Sequence, residues 1–337
     1  VASVTIRDVA KKAGVGVGTV SRVLNESHSV SEPTRAKVLE AIAELNYSPS
    51  LIARRLSLGR TMTIGVIAPF FIRPSYVERL RGVEAVLSES EYDFILYNVE
   101  SVARRNTSFR ELPRKERVDG MLIMTLPPTD EEIANFKREE VPVVLIDASH
   151  PELSHVCIDD VRGGYQATQH LIALGHHRIG YISDLLQESP FGFRPVADRY
   201  QGYRQALAEA NIAFNPDYHR QGTLSRREAR RLTTELLSLA EPPTAIFAYS
   251  DTQAFGVLRA AQDLGIKVPQ ELSVIGYDDL EMSEFFHLTT IRQHLYESGV
   301  WGAEMLLEAI AHPSATPKQM VLQTELTVRD TTAPPHL

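Results

Sequence analysis

A chain of 337 residues, 43% hydrophobic and 23% charged, is long enough for two or three domains and has the make-up of a globular protein. No apolar run approaches the roughly 18 residues of a membrane span, the start lacks the apolar core of a signal peptide, and a single cysteine, Cys157, excludes an internal disulfide framework. These features predict a cytoplasmic protein with no membrane contact. The net charge of -8 argues against nucleic acid until it is divided: residues 1–60 hold nine Lys/Arg and five Asp/Glu, and the remainder 26 and 38. A basic head on an acidic body is the asymmetry expected when only the head touches DNA.

The head reads as three short helices. Thr5 can N-cap the first, with Asp8 three residues on; Ile6, Val9, Ala10 and Ala13 form its apolar face, and Gly14 is a natural stop. A second helix starts near Val17 and buries Val20, Val23 and Leu24. A third follows Ser31-Glu32-Pro33, with Val38, Leu39, Ile42 and Leu45 as its stripe. Two short helices joined by a Gly-containing turn, closed by a third, predict a helix-turn-helix. In that motif the second helix offers its N-terminal residues to base edges in the major groove. Val17 can pack on a thymine methyl, Gly18 lets the backbone approach, and Arg22 can reach a guanine O6/N7 pair. Thr19, Ser21 and Asn25 suit phosphate contacts. The alternative is a solvated surface helix in a small helical domain.

From Thr63 short apolar runs alternate with amphipathic stretches. Strands are expected at 64–68, 94–97, 120–124, 143–147 and 156–159, with helices over 76–90 and 130–140. A second series follows: helix 163–174, strand 179–182, helices 199–210 and 226–239, strand 245–248, helix 253–264 and strand 273–277. A last apolar strand, 321–328, is expected to cross back. Strands alternating with helices predict parallel sheets covered on both faces, in two α/β subdomains.

No Gly-x-Gly-x-x-Gly, P-loop or Gly-x-Ser-x-Gly elbow is present, so no nucleotide cofactor and no enzyme activity is expected. His170 and the His176–His177 pair lack Cys or acidic companions and read as surface groups rather than a metal site. Asp278 and Asp279 could form an acid/base couple, cap the next helix, or accept hydrogen bonds from ligand hydroxyls. Arg199, placed at a helix start, is an awkward charge beside the positive dipole end, which fits a ligand-facing role. Phe193, in Phe191-Gly192-Phe193, can stack on a sugar ring or pin its loop.

Several motifs in order, Thr5-x-x-Asp8-Val9-Ala10, Thr19-Val20-Ser21-Arg22-Val23-Leu24-Asn25 and Tyr47-Ser48-Pro49 through Leu56, closely resemble the DNA-binding head of the lactose/purine repressor family (LacI/GalR). Asp159-Asp160, His170 to His176, Arg199-x-x-Gly202-Tyr203, Ser273 to Asp279 and Leu288 to Ile291 extend the resemblance through the body. It implies a hinge helix over 50–57, disordered in the free protein and ordered on DNA, with Leu56 wedged into the minor groove and Arg54 and Arg55 near phosphates. It places Val17 and Gly18 at the variable reading positions. With Thr5, Ser31 and Tyr47 these complete the expected DNA-contacting set.

The same resemblance implies a body of the periplasmic-binding-protein type I kind, with two doubly wound parallel sheets and a small-molecule effector between them. The expected boundaries are a helix-turn-helix domain over 1–48, a hinge and linker over 49–61, and an effector-binding and dimerisation domain over 62–331. Within the last, one subdomain takes about 62–160 and 290–320, and the other about 161–289 and 321–331; 332–337 is a tail. Asp278 and Arg199 fall where the family holds its effector, and Asp147, Tyr76 and Ser75 face the same cleft. Ser250 stands where sugar-responsive members often carry Asn, which argues against a simple galactoside.

A repressor controlled by a carbohydrate is therefore expected, with a purine or nucleoside effector, a transporter's solute-binding protein and a sugar enzyme as alternatives. A homodimer on a pseudo-palindromic operator is expected because helix-turn-helix proteins read two half-sites. The 76–90 helix and the 282–286 region are the dimer surfaces the resemblance implies. The Pro-containing tail lacks the heptads of a tetramerising coiled coil.

Overall fold

The computed structural model describes residues 4–24, 29–47, 60–186 and 191–336, in two units, Val1–Thr61 and Met62–Leu337. The first unit holds α1 (Ile6–Ala13), α2 (Val17–Leu24) and α3 (Glu32–Glu44). The Asp8 carboxylate accepts from both the Thr5 amide and the Thr5 hydroxyl, and Gly14 closes α1 with φ 68°, a left-handed conformation that costs glycine little. Val9, Ala10, Val20, Val23, Val38 and Ala41 form the core. The hinge expected over 50–57, with Asn25, Arg54, Arg55 and Leu56, lies outside the described residues.

The second unit contains two six-stranded sheets. Its elements are β1 (Thr63–Pro69), α4 (Pro74–Leu87), β2 (Asp93–Val99), α5 (Val102–Glu111), β3 (Gly120–Met124), α6 (Asp130–Arg138), β4 (Val143–Ile146), β5 (Ser154–Ile158), α7 (Asp160–Ala173), β6 (Ile179–Ser183) and α8 (Arg194–Glu209). They continue with β7 (His219–Gln221), α9 (Arg226–Leu237), β8 (Ala245–Ala248), α10 (Asp251–Leu264), β9 (Ser273–Asp278), α11 (Glu281–Phe285), β10 (Thr289–Arg292), α12 (Leu295–Ala311), β11 (Gln319–Leu322) and β12 (Glu325–Thr327). The first sheet runs β11-β5-β4-β3-β1-β2, all parallel. The second runs β12-β10-β9-β8-β6-β7, parallel except for the β10–β12 pair.

Every residue of β1, β3, β4, β8 and β9 is buried, as strands covered on both faces must be. The covering helices lie close where glycines face them. A Cβ at Gly202 of α8 would sit 2.1 Å from the Val161 carbonyl oxygen of α7, and one at Gly299 of α12 would sit 2.0 Å from the Arg79 carbonyl oxygen of α4.

Several details differ from the sequence-based expectation, which had no helix at α5 (Val102–Glu111) or α12 (Leu295–Ala311). The expected strand 321–328 is two strands: β11 edges the first sheet and β12 the second, and the chain changes sheets at Gln323–Thr324. β10 belongs to the second sheet, so the chain crosses at Gln293–His294 rather than at about 290. Helix α8 begins at Arg194 because Pro195 suits a first helical turn. The remaining crossing is at Asp159, between β5 and α7. It is tied to the last one: the Asp159 amide donates to the Leu322 carbonyl, Arg162 to the Gln323 side chain at 2.7 Å, and Thr324 to the Gln166 side chain at 2.6 Å.

Candidate DNA-reading helix and ligand cleft

Two surfaces carry the residues singled out in the sequence. The first is the outer face of α2. Val20 and Val23 point into the helical core, which leaves Val17, Gly18 and Arg22 exposed, and Thr19 and Ser21 partly so. Val17 is 42% exposed and lies outside the helical core. A Cβ built on Gly18 meets nothing within 4 Å, so this position faces open space. Around it, the Thr5 hydroxyl donates to Asp8 at 2.7 Å, the Ser31 and Thr34 hydroxyls lie 2.9 Å apart, and Tyr47 packs on the helical core. The two Thr5 bonds hold the Asp8 carboxyl below its usual range.

The second surface is a cavity of about 220 Å³ inside the Met62–Leu337 unit. Its walls are the residues that follow strands: Thr125 after β3, Asp147 after β4, Asp184 after β6, Tyr249 and Ser250 after β8, and Asp278 ending β9. Ligand clefts of parallel α/β sheets form at these carboxyl ends. Thr125, Asp147 and Asp278 have φ of 57°, 59° and 128°, conformations non-glycine residues rarely hold and that cluster at functional sites. All seven effector candidates, Ser75, Tyr76, Asp147, Phe193, Arg199, Ser250 and Asp278, line this one cavity.

Their chemistry is a continuous polar chain. Thr125 donates to Asp147 at 3.2 Å; Arg79 pairs with Asp147 at 2.9 Å and donates to the Gln293 side-chain Oε1 at 3.1 Å. Gln293 Nε2 donates in turn to Asp278. On the far side Arg199 pairs with Asp160 at 2.7 Å, donates to the Tyr249 carbonyl at 2.8 Å, and lies 3.8 Å from Asp278. Its guanidinium also sits 3.7 Å from the Tyr277 ring centroid, a cation–π distance. Burial pushes the Asp278 carboxyl up to about 8, against the smaller opposing pull of Arg199. Burial also raises Asp147, opposed by Arg79, and Asp184.

The geometry revises several expectations. Arg199 is in the second turn of α8, not at its start, so the dipole argument for it fails; its partner is Asp160. Asp279 turns to Arg292 and Arg329, and α11 is capped at Leu280, so neither an Asp278–Asp279 acid/base couple nor a helix cap is formed. Ser250 lines the cavity and also caps α10, accepting from the Gln253 amide. Phe193 lines the cavity and stacks on Phe191, with ring centroids 5.4 Å apart. His177 is exposed, but His176 is buried, bonding Thr244, Ser273 and the Ala333 carbonyl. His170 holds Thr332, so both rings anchor the last residues rather than face solvent.

Sequence reasoning missed Arg79, Thr125, Asp184 and Gln293. Thr125 and Asp184 had a usable signal, a polar residue directly after an apolar strand. Arg79 and Gln293 had none, since an Arg in an amphipathic helix and a Gln beside a strand are ordinary surface features.

Comparison with known proteins gives two family matches. Residues 5–50 match "Bacterial regulatory proteins, lacI family", and residues 168–332 match "Periplasmic binding protein-like domain". Among curated relatives, the HTH-type transcriptional repressor PurR of Aliivibrio salmonicida is 35% identical over 311 residues, covering 91% of this chain and 92% of that protein. PurR of Haemophilus influenzae is 36% identical over 313 residues, 91% of each. Among solved structures, the CelR–cellobiose complex is 32% identical, covers 97% of this chain and 99% of that one, and has a TM-score of 0.70. The Lac repressor dimer bound to operator and the anti-inducer ONPF is 28% identical, covers 98% and 100%, and has a TM-score of 0.85. A regulator from Enterococcus faecium with bound ribose is 32% identical, covers 81% and 99%, and has a TM-score of 0.71.

Proposed function

The chain belongs to the LacI family of bacterial regulatory proteins, and on that premise we propose a repressor whose operator affinity is set by a neutral carbohydrate in the cleft. It binds operator DNA as a dimer, and a small-molecule effector controls that binding. A protein that reads operator DNA works in the cytoplasm. At the DNA, Arg22 takes a guanine edge, Val17 packs on a thymine methyl, and Thr19 and Ser21 position the helix on phosphates.

One observation carries the effector reading. The cavity is lined by three arginines (Arg73, Arg79, Arg199) and three aspartates (Asp147, Asp184, Asp278). That lining is rich in donors and acceptors; with Asp278 mostly protonated and the buried Asp160 paired to Arg199, its charges balance, which suits a ligand that offers many hydroxyls and no net charge. Tyr76, Phe193 and Pro195 supply apolar surface for a ring face. Asp278 accepts from ligand hydroxyls and Arg199 donates to ligand oxygens. An effector touching residues from both sheets favours one setting of the two subdomains, and operator affinity changes with it by linkage.

A purine effector is the second reading, because the relatives at 35–36% identity are named purine repressors. A thermal-shift screen of neutral mono- and disaccharides against nucleobases and nucleosides separates the two. A ligand at a hundred times its Kd adds about 2.7 kcal/mol of stability. A sugar that raises the melting temperature and alters operator binding supports the first reading; a shift from nucleobases alone replaces it with the second.

A further inference from the structure

The body is acidic overall, yet it carries short basic runs, one in α9 and one with a particular place in the chain. Between Arg104 and Arg117 there are six Lys/Arg and two Asp/Glu, in a stretch beginning in α5 and ending just before β3. Arg110, Arg114, Lys115 and Arg117 are exposed. Arg114 and Arg117 have no carboxylate partner among the described residues; Lys115 meets Glu140, but that pair is largely exposed and so weak.

The turn that carries them is fixed rather than trailing. The Arg117 amide donates to the Arg114 carbonyl at 2.8 Å, the Val118 amide donates to the same oxygen at 3.1 Å, and Val118 is fully buried. Its position is specific. The Met62 amide donates to the Asp119 carboxylate at 2.8 Å, and the Asp119 amide to the Thr63 carbonyl at 2.9 Å. The basic turn therefore flanks the point where the chain enters this unit from the DNA-binding one.

We propose that Arg114, Lys115 and Arg117 form a second, sequence-independent DNA contact, gripping phosphates beside the segment that α2 reads. The proposal rests on the DNA-binding reading of α2. It gives the basic turn a ligand of fitting charge, and cations at such a turn steer the acidic body's approach instead of leaving it repelled by the duplex.

The test uses the full chain and a long random-sequence duplex, titrated over a series of salt concentrations. The Arg114→Ala/Lys115→Ala/Arg117→Ala variant should bind more weakly, and the slope of log K against log salt should flatten by about 0.9 for each phosphate no longer gripped. The Arg114→Glu/Arg117→Glu variant should weaken binding further. Arg226→Ala/Arg227→Ala, which removes two exposed arginines from α9, should leave the slope as in the wild type. Melting curves check that each variant is folded. A slope unchanged in the first variant, or lowered equally in the α9 control, overturns the proposal. A wild-type chain that binds no duplex at all overturns the DNA-binding reading instead.

Discussion

Replacing Arg199 by Ala should damage the fold before it reports on ligand binding. Arg199 and Asp160 are 4% and 3% exposed at the side chain and lie 2.7 Å apart. Without the guanidinium, the Asp160 carboxylate remains buried with its strongest partner gone. Breaking a buried pair by removing one member costs about 3–5 kcal/mol. In a unit of this size about 1 kcal/mol moves the melting temperature by roughly 2 °C, so a fall of roughly 6–10 °C is expected. Asp278→Asn is the contrast. Its carboxyl is pushed up to about 8, so it is mostly protonated at neutral pH, and a neutral amide of similar shape disturbs little in the empty cleft. Its effect falls on the ligand, where a carboxyl group that can accept is replaced in part by an NH2 donor, and affinity drops by up to about tenfold. Differential scanning calorimetry of both variants, followed by calorimetric titration of the effector, separates the two effects. If Arg199→Ala melts with the wild type, the buried pair is not what holds Arg199, and the assignment of its role is wrong.

Five further outcomes are expected. Arg22→Ala should lower the ratio of specific to nonspecific DNA affinity by about 1–3 kcal/mol, while Gly18→Ser should change the preferred operator without changing the melting temperature, because a Cβ there meets nothing; binding selections on randomised duplexes read both. The unit should lose stability as pH rises toward 8: between the ordinary 3.8 and about 8 the folded Asp278 keeps a proton that the unfolded chain has released, and Asp278→Asn should flatten this limb of the melting profile. Between pH 4 and 6.5 His219 acts the other way: burial lowers it from 6.5 to about 4, so the unfolded chain takes up a proton first and acid costs stability, offsetting the Asp278 contribution; His219→Phe should therefore steepen the profile in that range. Gly202→Ala should destabilise by about 1–3 kcal/mol in denaturant melts, since its methyl would overlap the α7 backbone.

Much of the fold was legible because its signals are local. Continuous apolar runs such as Ile64 to Ala68 and Val143 to Ile146, short and rich in β-branched residues, read as covered strands, and polar residues at strand ends, Asp147 and Asp278, mark the cleft. What was hidden depends on which sheet a strand joins or on a partner distant in sequence. The run 321–328 looks like one strand because hydrophobicity does not record a change of sheet. Arg79 reads as a solvated helix residue until Asp147 and Gln293, 214 residues away, are brought beside it. Arg199 was placed in the cleft by an argument about the helix dipole that its true position in α8 removes, so that placement came from the resemblance alone.

The three crossings between the sheets, at Asp159, Gln293–His294 and Gln323–Thr324, have a mechanical consequence. The crossings at Asp159 and Gln323–Thr324 are hydrogen-bonded together and act as one support; with Gln293–His294 they fix two points, which define an axle. Opening and closing about that axle needs dihedral changes at a few residues, whereas sideways sliding or twisting strains all three crossings together. The message leaving the cleft therefore reduces to one coordinate, the opening angle. Ligands of unlike chemistry would be ranked on that single scale, and a partial effector is one that stops the swing midway in its average, not one that sends a different signal.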